Sequence, residues 1–150
     1  ATVARADVVE PFKGLSISTF GGNPVSMEAA LATIEVIEEE RLLYNAQVVG
    51  EHLRNGLEAL RERFPGIGEV RGMGLMQALE LVRDRKTREP DAQLTLRLME
   101  AAKSRGLLLG KGGLYGNAIR ISPPMVVTKT EVDEAIRILA EALSEVSKAG

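Results

Sequence analysis

Asn23-Pro24 and Pro65-Gly66 bracket the stretch that most limits how this chain can fold. Asn is a favoured N-cap and Pro suits the first helical position, so the pair opens a helix. Between the brackets, Met27, Leu31, Ile34 and Ile37, then Val48, Leu53, Leu57, Leu60 and Phe64, recur at helical spacings. That period predicts one very long helix, or two joined near residues 39–45, ending at about Pro65. It reads as a spacer or hinge leading from the unit that follows to something else.

The remainder alternates strand and helix signals. Residues 67–71 and 75–82 are β-like and separated by Gly72-Met73-Gly74. Residues 83–90 (RDRKTREP) form a charged loop, read as a solvated surface. Asp91 caps a helix carrying Leu94, Leu98, Met99 and Ala102, which Gly106 ends. Leu107-Leu108-Leu109 reads as a short buried strand, and residues 118–122 as another, stopped by Pro123-Pro124. Thr130-x-x-Asp133 has the form of a capping box, opening a last helix with Val132, Ile136, Leu139, Leu143 and Val146 on its apolar stripe. The expected fold is α/β: a long helix, then a β-β-α-β-β-α unit with a small mixed or antiparallel sheet covered on one face. Upstream, residues 6–13 allow a short helical turn. Ala1-Thr2-Val3-Ala4-Arg5 reads as the tail of a β-strand, as if the chain started mid-fold.

Composition removes whole classes of function. The 150 residues carry 19 Lys+Arg against 21 Asp+Glu, a net charge of −2, which gives nucleic acid no support as the main partner. A hydrophobic fraction of 45% with 27% charged residues is globular rather than disordered. Zero Cys excludes disulfides, thiolate nucleophiles and Cys-ligated zinc. A single histidine, His52, makes an imidazole–zinc cluster or a Ser-His-Asp triad a poor fit, and it reads as an ordinary surface or packing histidine. No apolar run approaches the roughly 18 residues of a membrane span. A cytoplasmic protein is expected.

Three segments invite chemistry. Gly110-Lys111-Gly112-Gly113-Leu114-Tyr115-Gly116 suggests a nucleotide loop but fails on spacing. Three residues, not four, separate Gly106 from Gly110; Gly follows Lys111; and the third dinucleotide glycine falls on Tyr115. It reads as a turn between strands, or as the lip of a site. Ser18-Thr19, ahead of Phe20-Gly21-Gly22-Asn23-Pro24, places two hydroxyls and several N–H groups before a helix N-terminus. Such a place can hold a phosphate, although ordinary capping is the simpler reading of the residues alone. In Ile119-Arg120-Ile121-Ser122, alternation sets Arg120 on the face opposite its apolar neighbours. There it can offer a planar fork to a carboxylate or be a plain surface arginine. Arg71, in Val70-Arg71-Gly72-Met73-Gly74, carries more of a structural reading.

Taken in order, Ser18-Thr19-Phe20-Gly21-Gly22-Asn23-Pro24, Val70-Arg71-Gly72-Met73-Gly74-Leu75-Met76 and Ile119-Arg120-Ile121-Ser122-Pro123-Pro124 resemble the C-terminal part of class III pyridoxal-phosphate-dependent aminotransferases, of fold type I. Gly106-Leu107-Leu108-Leu109-Gly110-Lys111-Gly112-Gly113 with Gly116-Asn117 is most similar to the alanine–glyoxylate aminotransferase type 2 subgroup. The resemblance implies pyridoxal 5′-phosphate as cofactor, an amino acid (alanine) and a 2-oxo acid (glyoxylate or pyruvate) as substrates, and a homodimer with shared active sites. Ser18 and Thr19 would bind the cofactor phosphate of the neighbouring subunit, Arg120 would grip the substrate carboxylate, and Arg71 would be structural. It also implies a division into residues 1–24 as the tail of the cofactor domain, 25–64 as the interdomain helix and 65–150 as the small domain.

Transamination needs a lysine that binds the cofactor as a Schiff base and shuttles the proton. In the family that lysine precedes the Ser-Thr-Phe-Gly-Gly-Asn-Pro loop, whereas Lys13, the one lysine ahead of the loop here, falls on a surface position. The expectation is a C-terminal portion, inactive alone. Aminomutase and decarboxylase chemistry on the same scaffold stay open. So does a reading from a different class, a stand-alone, non-catalytic α/β module used for association.

Overall fold

The computed structural model describes residues 3–14 and 17–148. It divides into two compact units, Ala1–Val36 and Ile37–Gly150. The first holds α1 (Ala6–Val9) and most of α2 (Pro24–Glu39). Asn23 is the expected cap, its Oδ1 accepting from Ser26 N at 3.0 Å. The expected strand tail at the start lies partly outside the described residues, and residues 3–5 form no strand.

The second unit runs α3 (Leu42–Arg63), β1 (Ile67–Met73), β2 (Met76–Leu81), α4 (Ala92–Lys103), β3 (Gly110–Gly112), β4 (Ala118–Ile121) and α5 (Lys129–Lys148). The strands form one antiparallel sheet in the order β1-β2-β4-β3. One face is core: Val70, Leu79, Leu81 and Ile119 pack with Leu53, Leu57 and Leu60 of α3, Leu98 of α4 and Leu139 and Leu143 of α5. The helical stretch divides in two, as one of the sequence alternatives had it. Arg41 takes the left-handed conformation (φ 53°, ψ 42°) just after the acidic run Glu38-Glu39-Glu40, whose charges oppose the negative end of α2.

Three details differ from the sequence reading. Leu107-Leu108-Leu109 is not a strand, and Leu108 is 81% exposed. The end of α4 uses that backbone instead. Gly106, at φ +86°, donates to Lys103 O and Leu107 N donates to Ala102 O, both at 3.0 Å, closing the helix in a Schellman arrangement. Pairing with β4 then starts at Gly110. The capping box of α5 sits two residues earlier than Thr130-x-x-Asp133. Thr128 N and Oγ1 both donate to Glu131 Oε2 at 2.8 Å, and Glu131 N donates to Thr128 Oγ1 at 3.3 Å. Asp133 instead reaches across to α3, its Oδ1 lying 2.6 Å from His52 Nε2. Finally, β1 continues through Gly72 to Met73, so the hairpin turn is Gly74-Leu75. With positive φ at the first of the two positions, this is the turn whose twist matches the strands.

Several arginines bind backbone rather than solvent. Arg54 and Arg61 of α3 donate to Gly72 O (3.1 Å) and Gly68 O (3.2 Å), while Arg85 donates to Ile67 O and Phe64 O, both at 3.0 Å. The 83–90 loop is thus tied down rather than merely solvated. Asn45 donates to Met125 O (2.7 Å) and Val127 O (3.0 Å), fixing the segment between β4 and α5.

The tightest approach is between α3 and the β1–β2 turn. A Cβ added at Gly50 would meet Gly74 C at 2.3 Å and Gly74 O at 2.5 Å. Gly50→Ala should therefore destabilise by about 1–3 kcal/mol, the overpacking cost exceeding the roughly 1 kcal/mol that alanine gains in helix propensity. Urea denaturation checks it, a neutral or stabilised variant being the contrary result.

The capping box has a pH signature. The Thr128 backbone N–H, and then its hydroxyl, hold the Glu131 carboxyl below the usual glutamate range. A depressed folded pKa gives stability that is present above the unfolded value and lost as pH falls through the folded one. The wild-type advantage in Tm over Glu131→Gln should accordingly be full at neutral pH and shrink below about pH 4.3.

Candidate functional site

The first candidate place is the loop ahead of α2, in the first unit. Asn23 builds it: its Nδ2 donates to Phe20 O at 2.6 Å while its Oδ1 caps the helix. Gly21 N donates to Ser18 O at 3.3 Å, folding the chain back on itself. A Cβ added at Gly21 would lie 2.9 Å from both Cβ and Oγ of Ser18, so the bare glycine makes room for that hydroxyl. Gly22 follows at φ +72°. Ser18 and Thr19 are both exposed. Ser16, which opens the loop in the sequence, lies outside the described residues.

The second place is Arg120 on β4, in the second unit. Register puts Arg71, Ala78, Arg120 and Gly110 on one rung across the sheet, on the face away from the core. Arg120 is exposed, as alternation predicts, while Ile119 is fully buried. Its guanidinium leans over β3: a Cβ at Gly110 would lie 3.2 Å from Arg120 Nε and 3.4 Å from Nη2. Arg120 also borders an apolar crevice of about 330 Å³, between Leu108, Leu109, Ile121, Pro123 and Val127. The next rung carries Glu69 opposite Glu80. Both carboxylates bond Arg71, Glu69 Oε2 at 3.3 Å, and among the described residues none pairs with Arg120. A planar cationic fork with no partner among the described residues, next to an apolar wall, suits a carboxylate-bearing small molecule.

The other sequence candidates resolve simply. His52 joins α3 to α5 through Asp133. Residues 113–116 make the expected turn, Gly116 N donating to Gly113 O at 3.1 Å, with Leu114 and Tyr115 exposed at its tip. Among the described residues no cluster of His, Asp and Glu is arranged for a metal ion, and no helix is long and apolar enough to cross a membrane. Sequence reasoning placed Gly110 in a turn or the lip of a site without linking it to Arg120, and missed Glu69 and Glu80. Their relation to Arg120 exists only through strand register, and the one available signal was the alternation of Glu69 with Arg71.

Comparison with known proteins gives the setting of these places. The family described as aminotransferase class-III matches residues 1–143. Alanine–glyoxylate aminotransferase 2 homolog 2 of Arabidopsis thaliana is 45% identical over 128 residues, 85% of this chain and 27% of its own length. Its similarity agrees with the subgroup suggested by the glycine-rich strand. The alanine/serine racemase of Pyrococcus horikoshii is 40% identical, across 95% of this chain and 30% of the relative. Among solved structures, a PLP-bound amine transaminase from an uncultivated Pseudomonas species superposes with a TM-score of 0.82 at 36% identity, covering 94% of this chain and 33% of that one. The chain thus spans about a third of the length of the proteins it matches. Matched along nearly its whole length in sequence and in fold, the chain belongs to the class III aminotransferases.

Proposed function

We propose that these residues are the C-terminal portion of a class III transaminase that moves an amino group between an amino acid, such as alanine, and a 2-oxo acid, such as glyoxylate or pyruvate. Residues 1–24 would belong to the tail of the cofactor domain, 25–64 to the interdomain helix and 65–150 to the small domain. The enzyme would work in the cytoplasm as a homodimer, the loop at residues 18–24 of one subunit completing the site of the other. The observation that carries the reading is the unpaired Arg120 guanidinium over Gly110, beside an apolar crevice and with both sheet carboxylates bound elsewhere.

The loop fits the phosphate of pyridoxal 5′-phosphate. Two exposed hydroxyls precede a helix N-terminus, and a Cβ at Gly21 would fill the space that Ser18 occupies. Ser18 and Thr19 would hold that phosphate by hydrogen bonds to their hydroxyls. When bound, the cofactor supplies an electron sink for bond cleavage at the amino-bearing carbon. The task of Arg120 is separate. It anchors the substrate carboxylate by two parallel N–H···O bonds and so orients the amino-bearing carbon. The crevice wall beside it excludes water from one side of that contact.

Thr19→Ala in the full-length enzyme should weaken cofactor retention by about 1–3 kcal/mol, the loss expected for a hydrogen bond to a charged group. Equilibrium dialysis of the cofactor reads this directly, and unchanged affinity would remove the phosphate role. Arg120→Lys keeps the charge but loses the planar fork. Transamination efficiency with an amino acid should fall at least tenfold, about 1.4 kcal/mol of transition-state stabilisation. An amine lacking the carboxylate should lose far less, and thermal stability should move by no more than about 0.5 kcal/mol. Equal losses on both substrates would make Arg120 a structural residue.

A further inference from the structure

The outer face of the sheet carries two arginines and two carboxylates on its strands, Arg71 and Arg120 with Glu69 and Glu80. One acid per arginine would neutralise both. Instead both acids sit on Arg71, whose Nη1 donates to Glu69 Oε2 at 3.3 Å and to Glu80 Oε2. The register explains why Glu80 matters to Arg120. Ala78 faces Arg120 across β2 and β4, so Glu80, two residues along, is its diagonal neighbour on the same face. Diagonal neighbours are about 7–8 Å apart at the backbone, within reach of long side chains. Glu80 is the less exposed of the two acids, at 27% against 54%, which deepens its need for a cation. Glu69 lies directly opposite it, and like charges so placed repel unless a cation bridges them.

We propose that Arg71 is a positioning residue for carboxylate recognition: by holding Glu80 it keeps the Arg120 guanidinium unpaired for the incoming substrate. The inference rests on the reading of Arg120 as the carboxylate anchor. Arg120 already leans away from Glu80, over Gly110 on the opposite neighbouring strand. Other charges nearby are engaged or set apart. Arg61, which borders the recess beside Glu69 and Glu80, donates to Gly68 O and Glu58, and Glu131 beside Arg120 is held by Thr128. Among the described residues lining that recess, Arg88 is the cation with no partner of its own that could compete for a released Glu80.

The test is made in the full-length holoenzyme, with propionate as a non-reacting carboxylate whose dissociation constant is read by calorimetric competition. Arg71→Met should weaken propionate about fivefold or more, the scale of coupling within one ion-pair network. KM for the amino acid should rise with kcat little changed, and an amine without a carboxylate should be unaffected. Adding Glu80→Gln to Arg71→Met should restore propionate affinity to near wild type, a rescue that a merely structural arginine would not show. Arg71→Gln, which keeps a hydrogen-bonding side chain in the hairpin, should repeat the pattern and guards against misfolding of the first variant. If Arg120→Lys weakens propionate but the Arg71 variants do not, or if Glu80→Gln fails to rescue them, the proposal is overturned while the anchor stands. If Arg120→Lys leaves propionate affinity unchanged, both fall.

Discussion

The backbone contact between Gly50 and Gly74 sets where everything else in the second unit sits. At that point helix α3 touches the β1–β2 turn with no side chain between them. The same helix is held at two further points. Asn45 binds the carbonyls of Met125 and Val127, and Gly56 receives Ile136 of α5, which would lie 2.8 Å from an added Cβ. A helix indexed at three places cannot slide along the sheet, so the buried row of Leu53, Leu57 and Leu60 meets one face only. The opposite face is left to Arg71, Glu80 and Arg120. The position of Arg120 is thus a consequence of helix packing on the other side of the sheet.

What was legible in the sequence was what local chemistry decides. Asn23 and Asp91 announce their helices because a cap is a contact over three residues, and both side chains accept as expected, from Ser26 N and Leu94 N. Alternation placed Arg120 on the outer face because the period of a strand is two. The failures share a cause. Leu107-Leu108-Leu109 has the composition of a buried strand, but its first N–H is consumed by the end of α4, a competition that composition does not record. Thr130-x-x-Asp133 has only the shorter acid at the third position, whereas Thr128-x-x-Glu131 has the glutamate that a capping box prefers and forms it, leaving Asp133 to meet His52. For the site, the loop at residues 18–24 and Arg120 were visible as isolated signals. Of the neighbours that give Arg120 its character, Gly110 lies on the strand just before it across a short turn, while Glu80 comes from a strand forty residues earlier.

Arginine does two kinds of work here. Arg54, Arg61, Arg85 and Arg105 spend donors on backbone carbonyls, where five N–H groups in a fixed fork satisfy acceptors that no strand or helix reaches. Surface ion pairs such as Arg137 with Glu134 and Glu141 add little stability by themselves. Among the described residues Arg120 holds neither a carbonyl nor a carboxylate, as is true of Arg41, Arg63, Arg88 and Arg97; what distinguishes it is its place on the outer face of the sheet beside the apolar crevice.

The carbonyl-binding arginines also decide how wide the sheet can be. The outer strand β1 presents Ile67 O, Gly68 O and Gly72 O to Arg85, Arg61 and Arg54, so those acceptors are closed to the N–H groups of an arriving strand. The other outer strand, β3, has no such covering among the described residues and is only three residues long, between the irregular run after α4 and a glycine turn. One margin is sealed by charge and the other by brevity. Lengthening β3, for instance with β-branched residues in place of Gly110 and Gly112, would remove the second seal and open a template for intermolecular strand addition on the side where Arg120 lies.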